Sequence, residues 1–396
     1  MKKNIFYRIK STLTSTHFWI FIGPLFLLFI LFFAFSEFFS SAVYYPLTED
    51  ETGAKGNKNI HSNKVNILQP LDIALYDKKI LELANNPPPK QPITEVIKDP
   101  QTGKETTVTI EPKPAPPNLW PVKTVYPNPG AILPFSRIVA YYGNLYSTKM
   151  GVLGEYPEAI MLQKLNAEVK KWEFADPSTP VVPALHYIAV VAQESPGVDG
   201  KYRFRMPDSE IDKVLAMASK IPARAGGNAI VFLDIQVGFS TIFDELPKLE
   251  KYFKLPNVHL GMDPEFSMKG DIRPGKVVGT FDAADFNYAA DFLAKIVKEN
   301  NLPPKVLVIH RYTQKMVTNY QNIKPLGEVQ IVMHMDGWGG MAKKKGTYRN
   351  FIYPEPVQFA GFKLFYKNDV FESGTVLMTP DDLLKLNPRP SYIQYQ

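Results

Sequence analysis

The 396-residue chain has no cysteine, which excludes disulfides, thiolate metal sites, a cysteine nucleophile and the lipidated cysteine of a bacterial lipoprotein. It has no Walker loop and no GxGxxG after a strand-like run, so both common phosphate cradles are missing. No GxSxG elbow supports serine catalysis, and neither HxH nor HExxH offers a ready metal-binding pair. Concentrated charge is missing too. Of 45 basic residues, Lys2, Lys3, Arg8 and Lys10 lie in the first ten positions, which hold no acid, so the remainder sets 41 basic against 39 acidic groups. A nucleic-acid partner needs a dense basic surface that displaces counterions. Neither nucleic acid nor nucleotide is therefore expected as a partner, and no cofactor is expected either.

What is present is a globular balance, 45% apolar and 21% charged residues, behind a long apolar run. Residues Phe18 to Phe35 carry no charge and are long enough to cross most of a bilayer, with the basic flank on the cytoplasmic side. The reading is a basic cytoplasmic flank over residues 1–16 and a transmembrane signal anchor over 17–42, with everything beyond exported. A cleaved signal peptide is the rival, because Ser40 to Ala42 has small residues at cleavage offsets. Its apolar core would ordinarily be shorter, roughly 7 to 15 residues. Both readings place the C-terminal part outside the cytoplasm.

Residues 43–130 read as a proline-rich spacer. "NNPPPKQP" and "EPKPAPPNLWP" should be extended and semi-rigid. Between them, alternation on either side of Pro100 to Gly103 predicts a β-hairpin over residues 93–112.

Residues 131–396 alternate apolar runs with amphipathic segments. Eight runs read as strands: "RIVAYYG", "HYIAVVAQE", "AIVFLDIQVG", "VHLGMDPEF", "KVLVIHRY", "VQIVMHMDGWG", "FAGFKLFYK" and "SYIQYQ". Helical patterns such as "PEAIMLQKLNAEVKKWEF" and "DAADFNYAADFLAKIVKEN" separate them. The fold class is α/β, a (β/α)8 TIM-type barrel preceded by one transmembrane helix and the spacer, with a doubly wound open sheet as the alternative. The chain ends on the eighth run without a closing helix, a gap the early segments are free to cover.

Active sites of such barrels lie at the C-terminal ends of the strands. In "VHLGMDPEF" the apolar parity turns Val258, Leu260 and Met262 toward helices, leaving His259, Gly261, Asp263 and Glu265 on the barrel side. The same parity turns inward Asp234 and Gln236 (run three), His310 (five), His334, Asp336 and Trp338 (six), Lys363 (seven) and Tyr392 (eight). Tyr142 ends run one. Each has an ordinary structural role open to it: an acid capping a helix, a core histidine bonded to backbone, a lysine as counterion, an aromatic as packing. Their convergence on one mouth is the stronger signal, because unpaired buried charge is costly.

"YYGN", "MGVLGEY", "LDIQVGFS", "HLGMDPEFSM", "MHMDGWGG" and the ending from "GFKLFYKND" to "SYIQYQ" together resemble a group of exported, membrane-associated bacterial proteins with a glycoside-hydrolase-like (β/α)8 barrel. The resemblance spans Arg137 to Gln396. It implies a polysaccharide or cell-wall glycan as partner, with the membrane reached through the N-terminal helix. A strand-four acid is similar to the general acid of many barrel glycosidases, and the Asp-x-Glu spacing to the chitinase-like families, although Lys363 stands where the large retaining clan places its nucleophilic glutamate.

Glycosidic cleavage needs one carboxylic acid to protonate the leaving oxygen and a second carboxylate as nucleophile or base. Glu265 is the candidate acid, Asp263 the neighbour available to raise its pKa, and Asp336 the partner across the mouth. Tyr142, Asp234, Gln236, His310, His334, Trp338, Lys363 and Tyr392 are candidate substrate contacts. Two alternatives stand: a non-catalytic glycan-binding envelope protein, and a metal-dependent hydrolase drawing on His310, His334, Asp263, Glu265 and Asp336. The lysines Lys343 to Lys345 read as a solvated loop, and "GWGG" as a flexible one.

Overall fold

The computed structural model describes residues 70–98, 100–113 and 116–396. The apolar run Phe18 to Phe35 lies outside them, and among the described residues no helix is long and apolar enough to cross a membrane.

All eight runs are strands of one closed parallel barrel: β1 (Arg137–Gly143), β2 (Val181–Ala192), β3 (Ile230–Ile235), β4 (Val258–Met262), β5 (Lys305–Arg311), β6 (Val329–Met335), β7 (Phe359–Leu364) and β8 (Tyr392–Tyr395). They pair in chain order. Closure comes from β8 against β1, with Tyr392 opposite Ile138, and from β1 against β2, with Tyr142 opposite His186. An open sheet is thereby excluded. The chain of β2 extends beyond the barrel rim, where the short strand Arg203–Arg205 pairs with it antiparallel.

The helices follow from their patterns. In α2 (Glu158–Ala175) the buried Met161, Leu165, Val169 and Trp172 recur at helical spacing, and the Trp172 indole donates to the Tyr395 hydroxyl at 3.0 Å. In α3 (Asp208–Ala218) Ile211, Val214 and Ala218 do the same. The longest apolar stripe belongs to α4 (Ala283–Asn300), opened by a reciprocal Asp282–Asp285 capping box and ended by Asn301 in the left-handed region. "STIFDELPKLEKYF" breaks instead into three single turns over residues 242–253, with Pro247 at the head of the middle one. A further helix, α5 (Met341–Phe351), holds the three lysines read as a loop. Its Lys344 is buried, 2.8 Å from Asp369 and donating to the Gly337 carbonyl at 2.7 Å.

Strand parity divides the core into two clusters. Facing the helices are side chains such as Leu233, Leu260, Ile309 and Phe362. Inside the barrel, Ile138, Ala140, Val182, Ala184, Phe232, Val306, Val308, Val332 and Tyr392 fill its lower half. Truncating Phe232, fully buried at its centre, would cost about 3–5 kcal/mol. The end away from the strands' C-termini is covered by α1 (Ile73–Ala84), whose Ile80 and Leu83 pack against this interior cluster. The Arg389 amide bonds to the Leu83 carbonyl at 2.7 Å, and the Asn85 amide to the Leu386 carbonyl at 2.7 Å. This helix stands in the stretch read as spacer, where the same segment also carries an antiparallel hairpin of Ile93–Lys98 with Glu105–Ile110.

Candidate active site

A cavity of about 550 Å³ opens at the C-terminal ends of the strands, and its lining includes Tyr142, Gln236, Asp263, Glu265, Asp336, Trp338 and Lys363. Seven of the eleven residues selected from the sequence therefore border one space. The other four, Asp234, His310, His334 and Tyr392, are fully enclosed one layer below it and do not line it. Trp338 stands at the rim, 48% exposed, with the Lys343 ammonium 4.1 Å from its ring centre.

Asp263 closes β4 and caps the turn Pro264–Phe266, its Oδ1 accepting from the Glu265 amide at 3.1 Å. Glu265 therefore sits on a turn beyond the strand, where strand parity no longer applies. From β3, the Gln236 amide donates to Asp263 Oδ2 at 3.2 Å and to the Tyr142 hydroxyl at 3.3 Å. From β6, Asp336 is held on both oxygens: Lys363 Nζ is 2.9 Å from Oδ1, and His310 Nδ1 is 2.8 Å from Oδ2. The Lys363 ammonium also lies 4.0 Å from the Tyr142 ring centre. Among the described residues Glu265 has no ion-pair partner.

These surroundings push the carboxyls apart. Burial raises Glu265, with the Asp336 charge adding to it and the Tyr312 hydroxyl and Lys363 opposing. Asp336 thus works on Glu265 from across the cavity, and Glu265 in turn adds to the rise of Asp263 beside it. Burial drives Asp263 well above the usual carboxylate range against the pull of His310. Burial pushes Asp336 up as well, but Lys363 and His310 together hold it well below the usual range.

Under this floor lies a second layer. Burial works against a charged His310, yet Asp234 and Asp336 on either side bring it to about 10. Burial lowers His186 to about 4 despite Asp234. His186 Nδ1 is 2.6 Å from the Tyr392 hydroxyl, and Tyr142 donates to Asp234 Oδ2 at 3.0 Å. Two glycines make room for these rings. A Cβ on Gly261 would lie 2.3 Å from His186 Nε2, and one on Gly361 would lie 2.7 Å from His334 Nδ1.

His186 and Tyr312 were not selected from the sequence. The second run as read from the sequence opens on His186. In the structure β2 begins at Val181 and His186 is mid-strand, opposite Phe232 on β3. Tyr312 follows β5 immediately and lines the cavity. Glu194 is a rim charge, 2.9 Å from Arg273. As to metals, His186, Asp234 and His310 bring ligand atoms within 4.8 Å of one another; His334, Asp263, Glu265 and Asp336 are not in that group.

No family model and no curated protein matches the chain. A solved structure titled "Cellulase Cel5C_n" is 14% identical, over 61% of this chain and 68% of its own, with a TM-score of 0.33. A likeness at that score bears on neither fold nor activity, and the barrel assignment rests on the strand register above.

Proposed function

We propose that the barrel is a glycoside-hydrolase-like catalyst acting on a cell-envelope or extracellular polysaccharide, with Glu265 as general acid and Asp336 as the ionised second carboxylate. The observation that carries this is the pairing of environments in one cavity: Asp336 bound by Lys363 and His310, Glu265 without a cation. An acid/base pair needs one carboxyl kept protonated and one kept ionised. Asp336 keeps a lone pair on each engaged oxygen, and Lys363 and His310 fix its direction. Tyr142, Tyr312, Trp338 and Phe365 supply aromatic surface for sugar rings, and Gln236 an amide for hydroxyls. The N-terminal apolar run would anchor the chain, with the barrel outside the cytoplasm.

The test is hydrolysis of a panel of envelope polysaccharides by the wild-type chain and by Glu265→Gln. Chelator-resistant turnover lost in the variant supports the reading. Equal turnover in both removes Glu265 from the mechanism.

A second reading, a glycan binder without turnover, is favoured by the engagement of both Asp336 oxygens. It predicts binding without hydrolysis, weakened more by Trp338→Ala than by any acid substitution.

A further inference from the structure

Below the cavity floor, three atoms from three different strands converge with no hydrogen bond among the described residues: His186 Nε2, Asp234 Oδ1 and His310 Nε2. All three side chains are fully buried. The nitrogens are 3.3 Å and 3.5 Å from the shared oxygen, within reach of it, yet neither contact has hydrogen-bond geometry. A ring N–H needs its acceptor on the ring axis. A shared ion needs the opposite, since it occupies the axis itself and leaves the oxygen to one side.

The far side of each ring is already fastened. His310 Nδ1 is 2.8 Å from the Asp336 carboxylate and His186 Nδ1 is 2.6 Å from the Tyr392 hydroxyl. Metal-ligating histidines typically give their other N–H to an oxygen in this way, which fixes the tautomer and ring orientation. Asp234 is held likewise, its second oxygen taking the Tyr142 hydroxyl proton at 3.0 Å. Ligands about 2.0–2.2 Å from zinc in a tetrahedral arrangement stand roughly 3.3–3.6 Å apart, which the two nitrogen–oxygen separations match.

The geometry points to a buried site for a divalent first-row metal ion, zinc-like in its preference for imidazole and carboxylate, held by His186, Asp234 and His310. An ion there would occupy the side of the His310 ring that faces Asp234, opposite the Asp336 contact. None of its ligands lines the cavity, so it is a fixed charge beneath the floor, one residue removed from Asp336, with no direct reach to a substrate. The inference is independent of the glycosidase reading, which is decided by Glu265→Gln turnover.

The test uses the full chain in detergent, stripped with chelator, dialysed and titrated with zinc or cobalt(II). Stoichiometric binding with visible cobalt absorption is expected. His186→Gln and Asp234→Asn should each abolish binding, and Tyr392→Phe, which removes the oxygen that holds His186 Nδ1, should weaken it roughly 10–100-fold. His259→Gln, a buried histidine outside the group, should bind as the wild type does. Should the ligand variants fail to fold, Tyr392→Phe and the wild type decide alone. No binding by the folded wild type, or unchanged affinity in Tyr392→Phe or either ligand variant, overturns the proposal.

Discussion

Gly261 on β4 and His186 on β2 occupy one piece of space between them: a Cβ on the glycine would lie 2.3 Å from Nε2 of the ring, and 2.4 Å from Asp234 Oδ1. The absence of a side chain on one strand is what lets a ring from another reach the barrel axis. Gly261→Ala should therefore displace His186 and cost about 1–3 kcal/mol, as overpacking does. Denaturant midpoints would show it. An unchanged midpoint would mean that the ring has room to move aside.

Glu265 in its cavity should titrate above an ordinary glutamate, and the Asp336 charge is part of the reason. Asp336→Asn should then lower the Glu265 pKa, since it removes the negative charge that favours the neutral form. The carboxyl stretch in infrared spectra, assigned by difference against Glu265→Gln, reads this without needing activity. If turnover exists, Glu265→Gln should reduce it roughly 10²–10⁴-fold with glycan affinity little changed. An upward shift on Asp336→Asn would contradict the assignment.

Lys305 lies buried at the start of β5, where burial lowers its pKa to about 7. Its folded value is below its unfolded one, so the unfolded chain binds more protons and stability rises with pH between about 7 and the ordinary lysine value of 10.5. Lys305→Met should remove that slope. Melting temperatures of the two proteins across this range should converge as pH rises, and parallel curves would show that Lys305 does not lose its proton on folding.

Deleting Ser391 to Gln396 removes β8, which pairs with both β7 and β1. Two unpaired edges and the loss of Tyr395 from the Trp172 indole should leave no cooperative unfolding transition. A truncated chain that melts as the intact one does would refute closure as the source of stability.

Protease added outside intact cells should release a soluble fragment that retains Ile73–Ala84, because Ile80 and Leu83 of that helix pack into the barrel interior. Sequencing the fragment's N-terminus checks both the exported orientation and the helix. Recovery of uncut chain from the cytosol would count against the anchor.

The strands were legible because each is a short, nearly continuous apolar run between amphipathic segments, and the inward set on β4 and β6 followed from parity. Depth was not legible. Parity assigns Asp234 and Gln236 to the same face, but only the stagger between strands makes one a floor and the other a wall. The helix α1 was hidden by prolines on its C-terminal side, and α5 by Gly346 and three consecutive lysines, which look solvated until Asp369 is seen to pair with the middle one. His186 heads its run in the sequence, and only the strand register places it mid-strand, opposite Tyr142 on one side and Phe232 on the other.

The contacts of Leu83 with Arg389 and of Asn85 with Leu386 join parts of the chain some three hundred residues apart. Chains emerge from the ribosome at roughly 5–20 residues per second and tend to fold as they come, but α1 has nothing to seal until β8 exists. Until β8 has been made, this domain carries an unpaired β1 edge and an apolar barrel end with an incomplete wall for α1 to cover. Any partner that holds the nascent chain open before β8 is made would therefore have both surfaces to cover at once.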